Sequence, residues 1–267
     1  MAGSEPFILK FHGKVFCTLF NIKSMLSRKN IRFDYDNNNK LFCATGDGKK
    51  LKFYHRRQAK MAYEHGIKAR AYKLAREYFL DTIEFFEGDL IIDCGANVGD
   101  VKLFFDFEKK DVRYIGIEPS PKEFECLADN VGKSNAMNYG LWKEDSTLDF
   151  YVASERADSS LIEPPHFDEV ICVETKRLDN LFKNIGPIKL LKLEAEGAEP
   201  EIIQGASGIL RNIRYISADL GAERGLRQEF TVEDVTNFLL SNGFRLIAMS
   251  HVRVCALYEN LYFRKKD

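Results

Sequence analysis

Three groups of residues in this 267-residue chain have the types and spacing to do chemistry. The first is Asp93-Cys-Gly-Ala-Asn-Val-Gly99, where Gly95 and Gly99 let the backbone turn tightly and approach a ligand. The second is Glu118-Pro-Ser120, an acid 25 residues after Asp93 and so one strand-helix-strand unit further on, where a carboxylate can accept both hydroxyls of a ribose. The third is the set of acids Glu194, Glu196 and Asp219, each expected at or just past the end of a later strand. A dinucleotide cofactor fits poorly. The glycines follow Gly-x-x-x-Gly rather than G-x-G-x-x-G, and Asp93 would face a pyrophosphate. An acid there suits a ligand with a positive group, a ribose and no phosphate.

The elements that must position these residues can be read from the hydrophobic pattern. Leu90-Ile-Ile92 is a short apolar run suited to a parallel strand buried on both faces, and Asp100 can cap a helix carrying Val101, Phe104 and Phe105. Val112 to Ile117 predicts a second strand. Ser120-Pro-Lys-Glu123 reads as a capped helix start, followed by a stripe of Phe124, Leu127 and Val131 and by a third strand over 136–142. The βα rhythm then breaks: 147–152 and 169–175 alternate as an antiparallel pair around a loop holding Ser159, Ser160 and His166. It resumes with a strand at Ile188–Leu193, a helix from Pro200, a strand at 215–220, a helix opened by a capping box at Thr231-Val-Glu-Asp234, and closing strands at 244–249 and 252–263. Residues 1–54 form an accessory segment, with a helix and then a hairpin whose turns are Asp36–Lys40 and Gly46–Gly48; residues 55–267 form the main domain.

Composition narrows the function classes. Apolar residues at 45%, charged residues at 30% and a formal net charge of −1 describe an ordinary globular protein with no global pull toward nucleic acid or anionic lipid. Six scattered cysteines without a C-x-x-C pair predict reduced thiols. The apolar stretch 7–20 is interrupted by Lys10, His12 and Lys14, so a cytoplasmic protein without a transmembrane segment is expected. Residues 55–80 predict a helix broken at Gly66 and rich in Lys and Arg, which can bind phosphate or nucleic acid; a solvated face is the favoured reading.

S-adenosylmethionine carries an ammonium, a sulfonium and a ribose, and matches the ligand the glycine turn and Glu118 describe. Asp93-Cys-Gly-Ala-Asn-Val-Gly99, Ile117-Glu-Pro-Ser120, Leu191-Lys-Leu-Glu-Ala-Glu-Gly-Ala-Glu199 and Ala218-Asp-Leu-Gly-Ala-Glu-Arg-Gly225 resemble, in order, the motifs of FkbM-type S-adenosylmethionine-dependent O-methyltransferases. The resemblance implies an α/β fold: a doubly wound, mostly parallel seven-stranded sheet of the Rossmann-like class I methyltransferase kind, with the accessory segment and inserted pair added. It further implies that Asp93, Gly95, Ala96, Asn97 and Gly99 line the methionine end of the cofactor. Glu118, with Pro119 and Ser120, would bind the ribose, and Asn138, Gly140 and Leu141 would lie beside the adenine. Ser159 and Ser160 match a Ser-Ser-Leu element near the active site, and His166 and Arg224 join them as substrate-binding candidates.

Methyl transfer to a hydroxyl needs in-line positioning and removal of a proton. Glu194 is the first candidate base, Glu196 the second, and Asp219 could line the same pocket; the two glutamates could instead cap the following helix. Glu194 stands where the family usually has aspartate. No metal site is assigned. The implied activity is O-methylation of a saccharide or secondary metabolite, with a non-catalytic cofactor-binding scaffold or a nucleic-acid methyltransferase as alternatives.

Overall fold

A computed structural model describes residue 8 and residues 11–153, 159–250 and 253–263; Lys10, Ala157, Asp158 and Val252 of the sequence-based elements lie outside the described residues. Its centre is a seven-stranded sheet. Numbered along the chain, the strands are β1 (Leu90–Cys94), β2 (Arg113–Ile117), β3 (Ala136–Met137), β4 (Ile188–Leu193), β5 (Ile213–Asp219), β6 (Phe244–Met249) and β7 (Cys255–Asn260). Their order is β3-β2-β1-β4-β5-β7-β6. All neighbours run parallel except β7, which is antiparallel to both β5 and β6. This is the doubly wound, mostly parallel seven-stranded sheet that the resemblance implies.

The sheet is doubly wound because β1 and its neighbours are apolar on both faces. Leu90, Ile92 and Cys94 pack with Leu178, Ile202, Ile203 and Val235 on one side. Ile91, facing the other way, joins Leu74, Phe104, Phe105 and Leu127. Chain order reverses between β1 and β4, so the carboxyl ends of these two strands open a crevice, the usual ligand position in such sheets.

One polar network lies inside the sheet at that point. Lys192 on β4 is 1% exposed and pairs with Asp93 on β1 at 2.9 Å and with Glu194 at 3.0 Å. It also donates to the carbonyl oxygens of Cys94 and Gly95, at 3.3 and 3.0 Å. The Tyr114 hydroxyl donates to the other Asp93 oxygen at 2.6 Å. Register explains the meeting: Lys192 lies opposite Asp93, and Asp93 is in turn opposite Gly116 on β2.

Four local expectations differ from the structure. The third sheet strand is only Ala136–Met137, since Gly140–Leu141 leaves the sheet and pairs parallel with Glu169–Lys176. The inserted antiparallel pair, Ser146–Val152 with Glu169–Lys176, is thereby three-stranded. Asp100 does not cap its helix, because Tyr63 and Arg70 donate to its carboxylate at 2.6 and 2.8 Å. Neither expected capping box forms: Ser120 Oγ donates to the Glu123 carboxylate, and Thr231 Oγ1 donates to Glu199 at 3.3 Å.

The N-terminal residues form the helix Gly13–Leu26 and a three-stranded antiparallel sheet of Arg32–Asp36, Leu41–Gly46 and Lys49–Phe53. Its core is aromatic, with Phe42 and Phe53 stacked at 5.6 Å and Phe16 edge-on to Phe42 at the same distance. The cluster continues into Val98 of the turn after β1 and into Leu103 and Cys126 of the main sheet's helices. Asn130 stitches the two parts, exchanging hydrogen bonds with the Lys52 backbone at 2.9 and 2.8 Å and donating to Val98 O at 2.8 Å.

Two stability predictions follow from these contacts. Phe42→Ala should cost about 3–5 kcal/mol by opening a cavity in the aromatic cluster. Lys192→Met, which removes the cation between two carboxylates, should cost about 3–5 kcal/mol. Urea denaturation monitored by circular dichroism measures both; a loss under about 1 kcal/mol would refute either.

Candidate active site

The carboxyl ends of β1, β2 and β4 open into a cavity of about 770 Å³. Gly95 forms its floor and needs to be glycine: φ is +68°, and a Cβ there would come 1.7 Å from the Glu194 carbonyl oxygen. Asn97 follows at φ 48°, and its side-chain oxygen accepts from Gln58 at 3.0 Å. Glu118 ends β2, 7% exposed, and its carboxylate accepts from the backbone N–H of Asn97 and of Ser120, both at 2.9 Å. Burial and the neighbouring Glu123 push Glu118 up to about 8, against those two hydrogen bonds. Glu123 itself ends below its usual value: its burial is outweighed by His55, whose Nε2 lies 2.5 Å from Glu123 Oε1, and by Ser120.

Of the residues expected at the cofactor, Gly95, Asn97, Glu118, Pro119, Ser120 and Leu141 line the cavity. The others do not. Asp93 is fully buried behind the turn, held by Lys192 and Tyr114. Ala96 is 4% exposed in the core, and Gly99 is packed so closely that a Cβ would come 2.6 Å from Val131. Asn138 braces the loop from outside, donating to the carbonyls of Glu118 and Pro119 at 2.8 and 3.0 Å. Gly140 is buried against Thr175.

The acids after β4 and β5 behave differently from one another. Glu194 lines the cavity with its carboxylate held between Lys192, at 3.0 Å, and Arg253 Nη2. Burial raises its pKa, but the two cations outweigh that and hold it far below the usual carboxylate range. So clamped, Glu194 is held as a fixed negative charge on the cavity wall. Asp219 is 1% exposed and does not line the cavity; it accepts from Arg253 Nε and from Gly221 N at 3.1 Å. Glu196 lines the cavity at φ 49°, and its carbonyl accepts from Ser160 Oγ at 2.9 Å. Neither glutamate caps the following helix. Ala198 holds the N-cap position, and Glu199, the first helical residue, accepts from Ala195 N at 2.8 Å; burial pushes Glu199 up to about 7.

Ser159 and Ser160 both line the cavity. His166 does not, because it lies exposed in the loop of the inserted pair. Arg224 is likewise outside: it makes a bidentate pair with Glu201 at 2.9 and 2.7 Å and donates to Gly197 O at 2.5 Å. It clamps the strand Ala222–Arg224 to the turn after β4.

Sequence reasoning missed four contributors. Lys192 stood inside an otherwise apolar strand, a signal in itself. Glu223 was within a quoted motif. It lies on the short strand Ala222–Arg224 and lines the cavity. Burial and the Asp219, Glu194 and Glu199 carboxylates push it up to about 8, with Arg253 acting the other way. Arg253 had no local signal, since its role depends on the return of β7 beside β5. The basic stretch is the fourth: Arg57, Lys60, Arg70 and Lys73, from the helices Arg56–Met61 and Ile67–Glu77, line the cavity. They are not a merely solvated face, because the N-terminal helices are docked over the crevice by Tyr63, Arg70 and Gln58.

The donor set suits a cationic, ribose-bearing ligand: an acid-rich wall, a glycine floor and a carboxylate at the end of β2. Comparison with known proteins agrees. The chain is 24% identical over 181 residues to the 2-O-methyltransferase NoeI of Sinorhizobium fredii, covering 60% of this chain and 73% of that one. It is 24% identical over 155 residues to Methyltransferase 1 of Beauveria bassiana, covering 47% of this chain and 61% of the relative. A solved FkbM methyltransferase from Methylobacillus flagellatus is 16% identical with a TM-score of 0.47, over 67% of this chain and 45% of that one. The Methyltransferase FkbM domain model matches residues 93–246, from the Asp93 turn into β6. With more than half its length inside that match, the chain belongs to the FkbM methyltransferase family and is an S-adenosylmethionine-dependent methyltransferase.

Proposed function

We propose that this enzyme transfers the methyl group of S-adenosylmethionine to a hydroxyl of a saccharide or secondary-metabolite acceptor in the cytoplasm. The bound cofactor supplies an electrophilic methyl group. The observation that carries the reading is Glu118, a buried carboxylate on the cavity wall whose orientation is fixed by two backbone N–H groups. In this reading Glu118 accepts the ribose hydroxyls, Gly95 and Asn97 border the methionine end, and Leu141 with Tyr139 borders the adenine. Asp93 acts from behind by holding Lys192, and Asn138 acts by bracing the Glu118–Pro119 loop. Ser159 and Ser160 lie on the acceptor side. The name of the Sinorhizobium relative, a 2-O-methyltransferase, supports oxygen as the methylated atom. The six free cysteines support a reducing compartment.

A second reading, a nucleic-acid acceptor, draws on one observation: Arg57, Lys60, Arg70 and Lys73 border the cavity. The net charge of −1 and the absence of interleaved stacking aromatics favour a small acceptor. Incubation with labelled S-adenosylmethionine and a panel of neutral saccharides, phosphorylated sugars, phenolic metabolites and transfer RNA separates the two. Label in an ether of a small acceptor is expected; label in the RNA, or on nitrogen, would overturn the reading.

Glu118→Gln should weaken S-adenosylmethionine binding roughly ten- to a hundred-fold, since the amide nitrogen replaces one of the two carboxyl oxygens offered to the ribose hydroxyls. Isothermal calorimetry measures this. Unchanged affinity would remove Glu118 from the ribose site.

A further inference from the structure

We infer that Glu223 is the group that takes the acceptor's proton, and that Glu194, clamped between Lys192 and Arg253, serves to position and polarise it. This rests on the hydroxyl-methylating reading above and names its base.

The placement of Glu223 is set by close packing rather than by a loop. Gly197, at φ +97°, lies so near the strand Ala222–Arg224 that a Cβ would come 2.5 Å from the Arg224 Cα. Arg224 then ties that strand to the Glu194–Glu199 turn through Gly197 O and Glu201. Glu223 is thereby held on the cavity wall beside Glu194 and Arg253.

Three other acids on that wall are committed. Glu118 accepts two backbone N–H groups, Glu123 is bonded by His55 and Ser120, and Glu194 is clamped by two cations. Glu196 lies in the left-handed turn with its carbonyl bonded to Ser160. No hydrogen bond or ion pair to the Glu223 carboxylate occurs among the described residues.

Charge reinforces the assignment. The groups facing Glu223 are Asp219 from the end of β5, Glu194 and Glu199 from the turn after β4, and Arg253 from the segment entering β7. Glu194 and Asp219 keep their partner, Arg253, and Lys192 is spent on Glu194 and Asp93. Burial first, and then the negative charge left over, raise the proton affinity of Glu223 to a pKa of about 8. A base matched to neutral pH is what proton removal from a hydroxyl requires. In the step itself the hydroxyl proton passes to a Glu223 oxygen, the freed oxygen pair bonds the methyl carbon, and the carbon–sulfur pair stays on sulfur. Carboxylate and sulfonium become carboxylic acid and thioether, so charge balances.

Carboxyl-13C glutamate labelling of the full chain tests this, with the Glu223 resonance identified by its loss in Glu223→Gln, or by its move in Glu223→Asp if the first variant unfolds. Glu223 is expected to titrate near 8 in the free protein. Bound S-adenosylmethionine should lower that midpoint by roughly one unit, as an opposite charge within about 4–6 Å does, whereas the uncharged thioether of S-adenosylhomocysteine should not. A Glu223 midpoint in the ordinary carboxylate range of about 4, or equal shifts with both ligands, would overturn the inference. Calorimetry on the same samples reports cofactor binding separately, so loss of the cofactor reading is distinguishable from loss of the base. With an acceptor that is turned over, Glu223→Gln should lower kcat roughly 100-fold or more and abolish the rise in rate with pH through about 8. Affinity for S-adenosylmethionine should be retained; an unchanged kcat would also overturn the assignment.

Discussion

The ion pairs of Lys192 hold the rest of this site in place. A buried ammonium is tolerable only when its charge is matched and its protons are bonded. Here Asp93, Glu194 and the carbonyls of Cys94 and Gly95 meet both needs. The network spans the two strands between which chain order reverses, and it fixes the backbone leaving each of them. The glycine turn and the acidic turn can therefore approach until the Gly95 Cα nearly touches the Glu194 carbonyl. The geometry of the cavity floor follows from that contact.

Around this centre the enzyme separates two electrostatic tasks that one carboxylate cannot perform together. A charge that stays fixed near a cationic ligand has to resist protonation, and a base has to accept a proton. Glu194 and Glu223 share a wall and share Arg253 as a neighbour, yet ion pairs to Lys192 and Arg253 hold Glu194 low, whereas burial and the Asp219, Glu194 and Glu199 carboxylates push Glu223 up. Pairs of titratable groups separated in this way mark acid–base assignments in other enzymes.

Much of this was legible in the sequence, for physical reasons. Strand runs such as Leu90–Ile92 and Ile188–Leu193, and glycines at spacings that force a turn, are local signals, so the sheet and the Gly95, Asn97 and Glu118 positions could be located. What could not be read depends on partners distant in the chain. Asp100 and Ser120 have the composition of helix caps, and tertiary partners claimed their side chains instead: Arg70 and Tyr63 for the first, Glu123 for the second. The position of Glu194 could be read from its motif, but not its ion pair with Arg253, which reaches it from 59 residues away. Arg224 and His166 are likewise placed by distant packing, one turned inward to Glu201 and one outward to solvent.

The N-terminal helices docked over the crevice have a consequence for how the site can change. The family match begins at Asp93, whereas Arg57, Lys60, Arg70 and Lys73 precede it. One wall of the reaction chamber is thus contributed by sequence outside the shared block. Substitutions at these four positions would reshape that wall without touching any residue of the matched block.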